Sequence, residues 1–135
     1  MGARMRTATV ALALVLVVPL VVATAAMVSA HNASFDSSVS INHDRPNFKG
    51  RVSSERERCE RDREVSVFKA RKGPDRLIGT DTTNDNGRYV VPKPGARGRF
   101  YAKVAREVFG GYGHRHVCEA DTSGTIRVRR NNNND

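Results

Sequence analysis

The sequence predicts an all-β domain, and three observations support that class. Apolar and polar residues alternate at a period of two in segments such as 63–69 and 99–106, which is typical of strands with one buried face. Turn signals rich in Gly, Pro, Asn and Asp recur about every ten residues. No segment of ordinary helix length carries an apolar stripe at helical spacing. Short strands between regular turns favour an antiparallel β-sandwich or a single closed sheet.

Residues 1–30 are predicted to be an export signal and not part of this domain. Arg4 and Arg6 precede an apolar run over 8–28, and small residues follow it at the positions that a signal peptidase reads. We therefore expect a secreted chain that begins at His31. The run is also long enough to span a bilayer, so an uncleaved N-terminal anchor is the alternative. The small residues at its end favour cleavage.

The first part of the exported chain is predicted to contain one clear strand. Residues 31–46 are expected to form a poorly ordered entry, with a short edge strand at Val39 and Ile41, which alternate with Ser and Asn, as the alternative. The next segment, 47–53, reads as a strand with Phe48 and Val52 on one face. Residues 53–62 are dense in charge and lack an apolar stripe, so we expect a solvated loop.

The middle of the chain is predicted to form three strands. Segment 63–69 is a strand followed by a Gly-Pro turn over 72–75, and 76–83 is the next strand. The Asn-Gly turn within 84–87 is the strongest turn signal, because Asn and Gly adopt positive φ at low cost. We expect 88–91 to pair back on 76–83 as a hairpin.

Two further strands, 99–106 and 125–129, complete the predicted domain, which spans 47–130. Residues 131–135 are a low-complexity tail that we expect to be disordered. The alternation assigns the following residues to the core: Val65, Val67, Ile78, Tyr89, Phe100, Ala102, Val104, Ile126 and Val128.

The two cysteines, Cys59 and Cys118, both lie in the exported part. In an oxidising compartment a disulfide is the default for such a pair. It would close a loop of about 60 residues, for which the chain-entropy model gives about 4 kcal/mol. Free thiols or an intermolecular bridge are the alternatives. A zinc site built on cysteines is disfavoured because the sequence has no CxxC pair.

Several motifs together resemble a known family. They are Phe48-x-Gly50-x-Val52, Cys59, Arg63-x-Val65-x-Val67, Ile78-Gly79-Thr80-Asp81, Asn86-Gly87-Arg88-Tyr89, Tyr101-Ala102-Lys103-Val104 and Cys118. Over roughly 47–129 the chain resembles a carboxypeptidase regulatory-like domain, a prealbumin-like (transthyretin-like) sandwich of about seven strands. More narrowly, it resembles small secreted actinobacterial proteins that carry this domain alone with one disulfide. The resemblance implies a fold and no activity, because similar modules serve as spacers or adhesive units.

The charge of the chain points to anionic partners. The formal net charge is +9, and loss of the two arginines of the acid-free signal lowers it to +7. Such a charge suits anionic envelope polymer or lipid headgroups, although it can also serve solubility alone. No nucleic-acid motif and no small-molecule substrate are indicated, and we expect a monomer. The candidate anion-binding residues are Arg97, Arg99, Arg106, Arg115, Arg127 and Arg129.

A second hypothesis is metal binding. His31 would be the first residue after cleavage, and His114 and His116 form an HxH pair. Copper could be chelated by the amine and the imidazoles, because imidazole suits that metal. The alternative is a pair of exposed loop histidines. No nucleophile elbow, paired carboxylates or HExxH motif occurs, so no enzymatic activity and no bound cofactor are predicted.

A Gly-rich loop over 109–113 carries Phe109 and Tyr112 beside basic residues. Such a loop could stack on sugars or bases with cationic support. The interpretation that we favour is structural, with both aromatic rings covering one end of the sandwich.

Overall fold

A computed structural model describes residues 31–129, and over this range the chain is all-β, as predicted. The described residues form twelve strands and one 3₁₀ turn, Glu57–Cys59, and contain no α-helix. Within them, no helix is long and apolar enough to cross a membrane. The predicted signal and the predicted tail over 131–135 lie outside the described residues. The strands are β1 (His31–Phe35), β2 (Ser37–Val39), β3 (Asn42–Asp44), β4 (Asn47–Ser54), β5 (Glu64–Ala70), β6 (Arg76–Thr82), β7 (Arg88–Pro92), β8 (Gly98–Val104), β9 (Glu107–Phe109), β10 (His114–Cys118), β11 (Asp121–Thr122) and β12 (Ile126–Val128).

Two antiparallel sheets enclose the core. In the larger sheet the order is β11–β8–β5–β6, and β12 also pairs with β8. In the smaller sheet β4 pairs with β2, β3 and β7. The inward residues of the two sheets form one apolar cluster, in which the rings of Phe48 and Phe100 lie 4.6 Å apart. Strand alternation therefore predicts the core correctly, except that Ile78 and Ile126 are only partly buried against it.

The prediction of about seven strands is too low. The six predicted strands correspond to β4, β5, β6, β7, β8 and β12, and the other six strands are only two to five residues long. Three of these short strands lie in 31–46, where the sequence predicts a poorly ordered entry or a short edge strand at Val39 and Ile41. Val39 does lie in a strand, β2, whereas Ile41 does not. β2 and β3 pair with the two halves of β4, and backbone hydrogen bonds hold them although few of their side chains are apolar. An alternation of apolar residues cannot reveal strands of this kind.

A third, small sheet has the order β1–β10–β9. Its β1–β10 pair is parallel, which departs from the predicted antiparallel architecture. The ring of His116 lies between those of Phe35 and Phe109, at centroid distances of 6.0 and 5.3 Å. The guanidinium carbons of Arg56 and Arg58 lie 5.5 Å from the centroids of Phe35 and Phe109, respectively. This column of five side chains packs the small sheet against the segment around the 3₁₀ turn.

The Asn-Gly turn connects two sheets and does not close a hairpin. β6 pairs with β5, whereas β7 pairs with β4. The turn itself forms as expected: Gly87 has a φ of 72°, and Asn84 Oδ1 accepts hydrogen bonds from the backbone of Asn86 and Arg88. Beyond the turn, the carboxylate of Asp81 accepts a bond from the Val90 N–H at 2.7 Å. That contact links β6 to β7 without a strand ladder.

The disulfide prediction is confirmed. Cys59 and Cys118 are bonded, with a Cα–Cα distance of 5.3 Å, and both are fully buried. The bond joins the 3₁₀ turn to the end of β10, so it ties the small sheet to the rest of the domain.

Candidate anion-binding cleft

A basic cleft lies where three segments meet: the β3–β4 turn, the segment after β7 and the end of β12. It consists of two adjoining depressions of about 380 and 400 Å³, which share His43, Arg45 and Arg129. Five of the side chains that line it are cationic: Arg45, Lys93, Arg97, Arg127 and Arg129. We call this feature the basic cleft.

Two hydrogen bonds hold the three segments together. The Lys93 N–H donates to the Pro46 carbonyl at 2.9 Å, which ties the segment after β7 to the β3–β4 turn. The Arg45 guanidinium donates to the Arg129 carbonyl at 3.0 Å, which ties the same turn to the end of β12. The sheet places these segments side by side, because Asn47 of β4 pairs with both Asp44 and Pro92.

The described lining of the basic cleft is basic, uncharged or apolar, and none of the described residues that line it is acidic. The neighbouring Asp44 forms an ion pair with Lys49 at 2.7 Å, and that hydrogen bond and charge lower the pKa of its carboxyl group. A concave surface lined by one sign of charge concentrates its field on ions of the opposite sign.

His43 lines both depressions of the basic cleft. Its ring packs against Phe48 at a centroid distance of 4.9 Å. Its Nε2 atom is buried and has no hydrogen-bond partner within residues 31–129. Leaving a buried polar atom unpaired costs about 1–3 kcal/mol.

The structure divides the six candidate arginines into two groups. Three of them line the basic cleft: Arg97, Arg127 and Arg129. Arg99 lies beside it, because it pairs with Arg127 across β8 and β12. Arg106 forms an ion pair with Glu119 at 3.6 Å, and Arg115 lies on β10 of the small sheet. The six arginines therefore do not form one surface.

Sequence reasoning missed Arg45 and Lys93. Each is next to a proline in a short connection, Arg45 before Pro46 and Lys93 between Pro92 and Pro94. Basic residues in proline-containing turns were the available signal. Only the pairing of β3 and β7 with the same strand, β4, brings the two turns together.

The three histidines do not gather into one metal site. His31 and His114 are register partners in the parallel β1–β10 pair, whereas the ring of His116 is stacked between Phe35 and Phe109. Within residues 31–129 there is no group of three or more His, Cys, Asp or Glu residues that could hold a metal ion. The copper hypothesis therefore reduces to His31, with or without its amine, and His114.

The two aromatic residues of the Gly-rich loop behave differently. Phe109 packs on His116 and has the structural role that the sequence suggests. Tyr112 is fully exposed at the tip of the β9–β10 hairpin, so the expectation that it covers the end of the sandwich is wrong. Its glycine neighbours explain the difference, because Gly110 and Gly113 both adopt positive φ and turn the chain into solvent.

Comparison with known proteins gives no match to a family model, a curated protein or a solved structure. The resemblance to a carboxypeptidase regulatory-like domain therefore stays a prediction from the sequence. Any function has to be argued from the residues themselves.

Proposed function

We propose that this protein is a secreted, non-catalytic module that binds anionic polymers of the cell envelope through the basic cleft. The observation that carries the proposal is the convergence of five cationic side chains with no acidic residue among the described lining. Four of the five are arginines, whose planar guanidinium groups bind phosphate and carboxylate in a bidentate manner. Export rests on the predicted signal and agrees with the buried disulfide.

A polymer fits this site better than a free anion. The basic cleft is open to solvent, so each contact with a phosphate or carboxylate group is screened by water and salt. A repeating polyanion compensates for weak contacts, because neighbouring groups rebind from a high effective concentration. Arg99, beside Arg127, extends the cationic surface beyond the cleft and offers a second contact.

The test is co-sedimentation of the exported chain with purified envelope polymer between 0.1 and 1 M NaCl. We expect retention at low salt and release at high salt, because the Debye length falls from about 10 to about 3 Å. The variant R97Q/R129Q should lose most of the retention. R106Q/R115Q removes the same charge outside the cleft and should keep it. Absence of retention at 0.1 M, or equal loss in both variants, would overturn the proposal.

A second candidate is copper binding, which the pairing of His31 with His114 favours. Paired residues on neighbouring strands project from the same face of a sheet, so these two imidazoles start from adjacent positions. A chain that begins at His31 adds its terminal amine as a third nitrogen ligand. Titration with Cu²⁺ should then give one site that is lost in H114A, or when the terminal amine of His31 is acetylated, but kept in H116A. Equal binding by all four proteins would reject this candidate.

A further inference from the structure

The outer face of the larger sheet carries an apolar row that crosses three strands. Phe68 of β5 pairs with Leu77 of β6 on one side and with Tyr101 of β8 on the other. Val67 and Ala102, next to Phe68 and Tyr101 in the chain, face the core, so Phe68 and Tyr101 face outward. Leu77 pairs with Phe68 beside a register shift, and its exposure places it on the same outer face. Leu77, the second residue of the edge strand β6, is 52% exposed. We call Leu77, Phe68 and Tyr101 the aromatic row.

The two rings of the row have a defined geometry. Their centroids are 5.5 Å apart, and their planes differ by only 14°. The Tyr101 hydroxyl donates to an Asp75 carboxylate oxygen at 2.6 Å. The row therefore presents apolar carbon next to a fixed hydroxyl and a fixed carboxylate, an arrangement that suits a ligand with both C–H faces and hydroxyl groups.

Cationic groups flank the row on both sides. The Lys103 ammonium lies 5.5 Å from the Phe68 centroid and 5.7 Å from that of Tyr101. On the other side, Arg99 is two residues from Tyr101 along β8, or about 7 Å at the usual rise of a strand. Arg99 pairs with Arg127, which lines the basic cleft. The aromatic row and the basic cleft are thus parts of one continuous surface.

We propose that the aromatic row binds the sugar rings of an anionic glycan whose carboxylate or phosphate groups lie in the basic cleft. This inference rests on the proposed function and specifies its ligand. A sugar ring has an apolar C–H face that packs on aromatic carbon, and its hydroxyls can bond to Asp75 and Tyr101. The distance from the row to Arg99 allows neighbouring units of one polymer to engage the ring and the arginine together. A polyanion without sugars would use the cleft alone.

The experiment compares two soluble probes of equal charge, an oligouronate and a linear polyphosphate, by titration calorimetry at low salt. The wild-type domain should bind the oligouronate about tenfold more tightly, by analogy with the contribution of a stacked ring. Y101A should remove that difference and leave polyphosphate binding within about twofold. Y101F keeps the ring and should retain the preference. Y112A changes an exposed tyrosine outside the row and should alter neither affinity.

The outcomes separate this inference from the proposed function. Polyphosphate binding with no preference for the oligouronate, or a preference that survives Y101A, would overturn the role of the row and leave the cleft intact. Equal loss in Y101F and Y101A would overturn stacking as its basis. Failure of both probes to bind the wild type would overturn the proposed function itself. Tighter binding of a single-stranded oligonucleotide, also lost in Y101A, would assign the row to bases and overturn the assignment to glycan.

Discussion

Arg63 is a charged residue that is only 1% exposed. Its guanidinium donates to the carbonyls of Cys59, Ala105 and Glu119 at 2.7, 2.6 and 3.1 Å. Its Nε lies 3.5 Å from a carboxylate oxygen of Glu107. Burial lowers the pKa of Arg63, and Glu107 opposes that shift. The side chain connects the 3₁₀ turn, the β8–β9 link and the segment after β10.

Replacement of Arg63 by methionine should therefore destabilise the domain strongly. Three carbonyls in buried or part-buried positions would lose their donor, so we expect a loss of about 3 kcal/mol or more in the free energy of unfolding. R63K should recover only part of the lost stability, because one ammonium group cannot donate in the planar, forked geometry of a guanidinium. R88M, at an exposed position on β7, serves as the control. Denaturant unfolding measures all three, and equal stability of R63M and R88M would refute this role.

The burial of Tyr89 makes the stability of the fold depend on pH in the alkaline range. Its ring is 1% exposed, and its hydroxyl donates to the Ser40 carbonyl at 2.7 Å. Burial raises the pKa of Tyr89 well above its usual value. The folded state therefore keeps the proton after the unfolded chain has begun to lose it. The stabilisation is complete below about pH 10, the usual tyrosine pKa, and declines as the pH rises above that value.

The variant Y89F has no titrating hydroxyl at this position, so its stability should lack this dependence on pH. At neutral pH it should lose about 1 kcal/mol, the usual contribution of one hydrogen bond. Above about pH 10 the wild type should lose about 1.4 kcal/mol per pH unit more than Y89F, because one proton differs between its states. Y112F, at a fully exposed position, should follow the wild type. Parallel stability curves for wild type and Y89F from pH 9 to 11 would contradict the argument.

At the scale of single residues, the sequence predicts apolar positions well and polar ones poorly. Alternation identifies Val65, Val67 and Phe100 as core residues because strand geometry alone determines their direction. Arg63 gives no such signal. Its burial depends on acceptors such as the Ala105 and Glu119 carbonyls, which are supplied by segments far away in the chain.

Among the elements, β4 has the most constrained position. It pairs with β2, β3 and β7, and its Gly50 lies opposite Tyr89. A Cβ atom at Gly50 would lie 2.0 Å from the Ser40 carbonyl oxygen and 2.6 Å from both Cε1 and the hydroxyl oxygen of Tyr89. The tyrosine hydroxyl bond thus crosses the strand where a side chain is absent.

The substitution G50A should therefore disrupt the contact between β4 and β7. A methyl group there displaces backbone as well as the ring, so we expect a loss of at least about 1–3 kcal/mol. G73A is the matched control, because a Cβ at Gly73 meets nothing within 4 Å, and its effect should stay within about 0.5 kcal/mol. Thermal unfolding compares the two, and a G50A variant as stable as G73A would show that this register is wrong.

Local sequence signals do not predict which strands pair with each other. The Asn-Gly signal locates the turn at 84–87 correctly, since the signal depends on local φ preferences. Whether the next strand pairs with β6 or with β4 depends on where Tyr89 and Val91 are buried, which is not a local property. The basic cleft follows the same logic. Arg97, Arg127 and Arg129 are visible as charges, but their convergence with Arg45 and Lys93 requires the sheet order.

For the molecule as a whole, stability depends on how the small sheet is attached. The sandwich core is continuous across β4, β5, β7 and β8, whereas the β1–β10–β9 sheet contributes no residue to that core. It is held by the disulfide, by Arg63 and by the column of stacked side chains around His116. The two cysteines are 59 residues apart, so the bond also closes a long loop in the unfolded chain.

Removal of the disulfide should act on both the small sheet and the global stability. The double variant C59A/C118A should unfold with a free energy lower by about 4 kcal/mol, which follows from the entropy of a loop of this length. Before global unfolding, amide hydrogens of β1, β9 and β10 should exchange faster than those of β5 and β8, because only the former lose their covalent attachment. Hydrogen exchange and denaturant titration of oxidised and variant proteins measure the two effects. Uniform acceleration across all strands would show that the small sheet and the sandwich unfold as one unit, and unchanged stability would refute the role of the bond.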